Sequence, residues 1–109
     1  MRLEELKRSE GRLWSHYWSD AGSMGAMCLD GRVVSVACHE RFEFQGVNLV
    51  GLSEAVVRMR FRDHRPSVGE FPDGHTLEFA QLGLELTLRS GFVLIATAFD
   101  EPLAPVGVL

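Results

Sequence analysis

The stretch RFEFQGVNLVGLSEAVVRMRFR, Arg41–Arg62, divides the chain and decides how its flanks are read. Phe42 and Phe44 alternate with Glu43, the pattern of a half-buried strand. Gln45-Gly46 permits a bend, and Val47–Val50 carries on to Gly51. Ser53 is a good N-cap, with Glu54 in the first turn and Leu52 placed to staple against Val57. A short helix is predicted to follow, with Ala55, Val56, Met59 and Phe61 packing inward. It should end by Asp63–Arg65, because Pro66 disfavours helix at the residue before it.

Working outward, each side of this stretch reads as a β-hairpin. Upstream, Met24–Leu29 and Val33–Ala37 flank Asp30-Gly31, a dipeptide suited to a type I′ turn. Met27, Leu29, Val34, Val36 and Cys38 would share the core face. If the turn has two residues, Cys28 lies opposite Val33 and Cys38 opposite Ser23, on opposite faces, and a disulfide is excluded. Downstream, Thr76–Phe79 is a strand and Gln81-Leu82-Gly83 a turn. Leu84, Leu86 and Leu88 alternate with polar residues, and Ser90-Gly91 turns the chain into Phe92–Phe99. Residues 66–75 read as a loop with a Pro-Asp-Gly turn.

At the N-terminus, Leu3, Leu6, Leu13 and Tyr17 recur near helical spacing. They predict an amphipathic helix over about residues 2–18, within a helical segment 1–20, weakened by Gly11. Trp14 and Trp18, four apart, would share one face of it. Residues 100–109, with Pro102 and Pro105, should be extended. The expected fold is one α+β domain over residues 1–109. Its antiparallel sheet has about five or six strands, as two hairpins flanking a central strand–helix unit, and two helices lie against it.

Composition narrows the function. Of 109 residues, 46% are hydrophobic and 24% charged, as in ordinary globular proteins, and the net charge is −4. That balance disfavours nucleic acid and anionic membranes as partners. The single lysine against ten arginines fits a bacterial genome of biased composition. The charged N-terminus lacks the apolar run of a secretory signal, and no apolar run approaches membrane-spanning length, so a cytoplasmic location is expected.

No cofactor or metal motif stands out. His64, Glu70, Asp73 and His75 match no zinc or EF-hand spacing. Cys38 and His39, adjacent on a strand, point to opposite faces. Gly51-Leu52-Ser53 lacks the second glycine of a nucleophile elbow, and Gly22, Gly25 and Gly31 are followed by no phosphate-loop lysine. His16 reads as a surface residue. Catalytic residues: none.

The run Phe44-Gln-Gly-Val-Asn-Leu-Val-Gly-Leu-Ser-Glu-Ala55, followed by Asp73-Gly-His-Thr-Leu-Glu-Phe-Ala-Gln-Leu-Gly-Leu-Glu-Leu86, resembles small uncharacterised bacterial α+β proteins similar to toxin-immunity proteins. That resemblance implies a non-enzymatic protein–protein interaction module and carries over no functional residue. Trp14, Trp18, Arg58, Arg62, Glu70 and Asp73 are the expected partner-binding residues, and the partner would be a basic protein. The alternative is a small-molecule-binding domain or minor enzyme with a pocket between helix and sheet, using His39, Arg41 and His64. A homodimer, through an edge strand or the tryptophan segment, is compatible with either.

Overall fold

A computed structural model describes residues 2–100. The strands are β1 (Arg2–Ser9), β2 (Arg12–Trp18), β3 (Met24–Leu29), β4 (Arg32–Cys38), β5 (Glu43–Phe44), β6 (Val47–Asn48), β7 (Ser67–Phe71), β8 (Gly74–Phe79), β9 (Leu84–Arg89) and β10 (Phe92–Phe99). One α-helix, α1 (Glu54–Arg60), lies between β6 and β7, and a 3₁₀ turn, Ala80–Leu82, between β8 and β9. Strand accounts for 58% of the described residues and helix for 10%, so the fold is mostly β rather than α+β. Eight strands form one antiparallel sheet in the order β1-β2-β3-β4-β10-β9-β8-β7, and β5 pairs with β6 apart from it.

The largest correction falls on residues 2–18, which form the hairpin β1–β2 and not a helix. Glu10 and Gly11 both have positive φ, 53° and 75°. The same pair of signs recurs at Asp30-Gly31, Gln45-Gly46 and Ser90-Gly91, as type I′ turns require. Leu3 and Leu6 appear helically spaced because the β1–β2 register shifts between Leu3 and Glu5. Trp14 and Trp18 share a face at i, i+4 on a strand just as they would on a helix. Burial also favours the hairpin. Trp14 is 8% exposed and packs with Met27, Leu29 and Val34, a gain on the order of 3 kcal/mol. That outweighs the ~1 kcal/mol spread of helix propensities.

Both flanking hairpins form around their turn dipeptides and join through antiparallel pairing of β4 with β10. In β3–β4, Cys28 pairs with Val33 as expected, but Met27 pairs with Ser35, so Val34 is an extra residue on β4. The bulge reverses the phase beyond it. Met27, Leu29 and Val34 cluster with Trp14, while Val36 and Cys38 fall on the other face. Cys38 therefore pairs with Met24, not Ser23, and shares a face with Cys28. Four residues along a strand separate the two levels by ~13 Å, too far for a disulfide, and both cysteines are free.

The segment read as a loop, 66–75, is the hairpin β7–β8, which forms the second edge of the sheet. Beneath it, Gly74 has no room for a side chain, since a Cβ would meet the Leu88 carbonyl oxygen. The central segment is stitched to the β9–β10 turn by backbone bonds. The Gly51 and Val93 amides donate to Val93 and Leu52 carbonyls at 2.8 Å each, and the Glu54 amide donates to Gly91 at 3.0 Å. Ser53 caps α1 by accepting from the Val56 amide. Phe61 is buried as expected, together with Val57, whereas Ala55, Val56 and Met59 face solvent rather than packing inward. With Leu49, Phe44 and Phe42 they cover one face of β8–β10, where Leu77, Leu84, Leu86 and Leu88 are fully buried. The part of the expected tail from 101 onward lies outside the described residues.

Gly11→Ala distinguishes hairpin from helix by sign. In the observed left-handed conformation it should destabilise the protein by about 1 kcal/mol, measured by urea unfolding. In a helix the same change would stabilise by a similar amount.

Candidate functional site

On the face away from α1 the sheet carries a different set of side chains. Strand pairing aligns Glu5 with His16, His16 with Met27, and Met27 with Ser35. A second row runs from Trp18 through Gly25, Ala37 and Thr97 to Glu85. Ile95 and Thr87 form a third pair. These residues line a single half-enclosed groove of about 370 Å³, to which His39 also contributes. β1 and β9 lie five strands apart, ~24 Å in a flat sheet. Glu5 and Glu85 can line one small groove only because the sheet is rolled toward this face. Twist and bulges supply the roll: register shifts occur in β1–β2, β3–β4 and β9–β10.

Trp18 lines the groove at one end of the second row. Its ring lies 5.1 Å from that of His16 and 5.3 Å from that of His39. The indole also lies across Gly25, where a Cβ would come within 3.1 Å of its six-membered ring. Gly25 therefore gives the tryptophan room to lie flat on β3. Two polar groups here lack partners among the described residues. His39 Nε2 is buried without a hydrogen bond. The half-buried Glu85 carboxylate makes no hydrogen bond or ion pair. Burial pushes its pKa above the ordinary glutamate range, and Glu78 beside it adds to the rise. Glu5 is less isolated, with Lys7 Nζ at 3.9 Å.

A second depression, about 470 Å³, lies at the end of α1, with Phe61 and Phe79 at its base and Arg58, Arg62, Arg65 and His64 around it. Its charges are partly answered already. Arg58 donates to Glu54 at 2.8 Å, His64 Nδ1 sits 3.1 Å from Gln81 Oε1, and Asp63 lies among the arginines. Glu54 also meets His75 Nε2 at 2.8 Å, and its pKa is held down chiefly by the Arg58 hydrogen bond.

The expected site residues scatter over this frame. Trp14 is buried in its cluster, while Trp18 lines the groove. Glu70 lies on β7 and Asp73 in the β7–β8 turn, 3.8 Å from Arg89. Arg58 and Arg62 line the second depression. Of the alternative set, His39 lines the groove, His64 the depression, and Arg41 is paired with Glu43 at 2.9 Å in neither. The space between helix and sheet holds the packed leucine core, so the groove occupies the opposite face. Of its other residues, the sequence marks His16 as surface and Met27 as core-facing, and singles out none of Glu5, Glu85, Thr87 and Thr97. Alternation of Glu85 and Thr87 with buried leucines marks a second face, but nothing local says that the sheet rolls over it.

Cys38, partly buried, has its thiol pKa raised by that burial, which disfavours the reactive thiolate. Among the described residues no group of three or more His, Cys, Asp or Glu is placed to hold a metal ion, and no helix is long and apolar enough to cross a membrane.

The Glu85 environment sets a sign for pH dependence. Its folded-state pKa is raised, so ionisation penalises the folded state. The penalty is absent below the unfolded-state pKa and fully present above the folded one. Glu85→Gln should therefore raise the melting temperature at neutral pH, and the advantage should vanish toward about pH 4, as read from thermal melts across that range.

Comparison of the chain with protein-family models, with curated proteins and with solved structures found no match.

Proposed function

We propose that the protein is a small-molecule-binding module that takes its ligand in the groove on the concave face of the sheet. One observation carries the reading: an apolar, half-enclosed groove is lined by Glu85, whose carboxylate lacks a partner among the described residues, and by His39, whose Nε2 is shut off from solvent without a hydrogen bond. Leaving such groups unpaired is costly, and ligand sites commonly combine an apolar wall with a few convergent polar groups. The walls are Trp18, Met27, Ala37 and Ile95, with hydroxyls from Ser35, Thr87 and Thr97.

The protein-partner reading has less support. It leans on Trp14 and Trp18 as an exposed aromatic pair, yet Trp14 is 8% exposed and Trp18 faces the groove beside two histidines. Nor do Glu70 and Asp73 extend that pair into one surface, because Glu70 sits across from His75 on the edge hairpin.

The neutral fluorophore N-phenyl-1-naphthylamine tests the reading. It should bind saturably with a blue-shifted emission. Ala37→Phe, which fills the groove, should weaken binding at least about tenfold while circular dichroism stays β-rich. Val56→Phe, on the exposed face of α1, should leave it unchanged. Absence of binding, or equal binding by a folded Ala37→Phe variant, would contradict the proposal.

A further inference from the structure

The charges around the groove are lopsided. Glu5 and Glu85 line it from opposite walls, and Glu78 pairs with Glu85 on the neighbouring strand. No lysine or arginine is among the lining residues. Of the cations on the same strands, Lys7 lies 3.9 Å from Glu5 and partly offsets its charge, and Arg89, past Thr87 on β9, lies 3.8 Å from Asp73. The remaining titratable neighbours, His16 and His39, flank the indole of Trp18.

Resting on the groove-binding reading, we infer that the ligand is a small primary or secondary organic ammonium ion with an apolar body, its N–H groups donating to Glu85 and its body lying along the groove that Trp18 also lines. Three features converge on this chemistry. A half-buried carboxylate without a partner gains most from a donor that brings a full positive charge, since charge-assisted hydrogen bonds are about twice as strong as neutral ones. Trp18 adds aromatic surface for the apolar body. Met27, Ala37 and Ile95 offer an apolar bed for the rest of the molecule. An anionic ligand would meet the partnerless Glu85, backed by Glu78 on the next strand, with no lysine or arginine among the described lining residues. A purely apolar one would leave the Glu85 carboxylate cut off from water and unpaired, which is costly. The raised pKa of Glu85 agrees, because a bound ammonium would offset the burial that causes it.

Three ligands sharing a phenyl-and-ethylene body separate the possibilities: 2-phenylethylamine, 2-phenylethanol and 3-phenylpropanoate, titrated calorimetrically at neutral pH. The amine should bind at least about tenfold more tightly than the alcohol, and the propanoate most weakly. Glu85→Gln, with its fold checked by circular dichroism, should bring the amine to within about threefold of the alcohol and leave the alcohol unchanged. Equal or tighter binding of the alcohol or the propanoate would overturn the inference, as would an amine preference that survives in Glu85→Gln. If none of the three binds but N-phenyl-1-naphthylamine does, the ammonium assignment fails and the groove reading stands. If the fluorophore also fails to bind, both fall.

Discussion

Three hairpins that border the groove, β1–β2, β3–β4 and β9–β10, close through two consecutive residues with positive φ: Glu10-Gly11, Asp30-Gly31 and Ser90-Gly91. That geometry matches the right-handed twist of the strands it joins, so the turns propagate twist where other turns would splay the ladders. The paired strands then have no reason to lie flat. Bulges in β1–β2, β3–β4 and β9–β10 add local twist at three ladders, and the sheet rolls until β1 and β9 border one space. Asp30 helps lock the arrangement across hairpins. Its carboxylate accepts the Leu13 amide at 2.9 Å and the Arg12 guanidinium at 3.2 Å, and the Leu13 bond is the main reason its pKa is held down.

Rolling gives the two faces different fates. On the convex side, α1 and the short β5–β6 hairpin cover β8–β10, and the leucine rows there are closed to solvent. Phe44, Phe61 and Phe79 continue that core through ring contacts at 5.8 and 5.1 Å. On the concave side no helix docks among the described residues. Trp14, Met27, Leu29 and Val34 make a smaller cluster, and the positions beyond it carry histidine, threonine and glutamate. A half-buried carboxylate without a partner weakens the fold, and such weakness is expected where binding sets the requirement.

Much of this was legible in the residues. Asp-Gly and Ser-Gly between alternating apolar runs specify their hairpins locally, and Ser53 specifies its helix start, because turn and cap chemistry act over a few residues. The first hairpin was not read so easily. Its strands are charged, its turn is the less distinctive Glu-Gly, and the bulge after Leu3 imitates helical spacing. Bulges also hid the true faces of β4, since a single added residue, Val34, inverts every position beyond it. Of the site, His39 and Trp18 were singled out for their chemistry, but no local signal links them to Glu85. That juxtaposition depends on the roll of a sheet whose strands come from both ends of the chain.

The groove stands or falls with the first hairpin, which supplies Glu5, His16 and Trp18. Backbone NMR of residues 2–18 tests it directly. Strand-type Cα and Cβ shifts, with cross-strand contacts between Glu5 and His16 and between Lys7 and Trp14, are the predicted result. Helical shifts over the same residues, with sequential amide contacts running through Gly11, would contradict the rolled sheet and the groove it encloses.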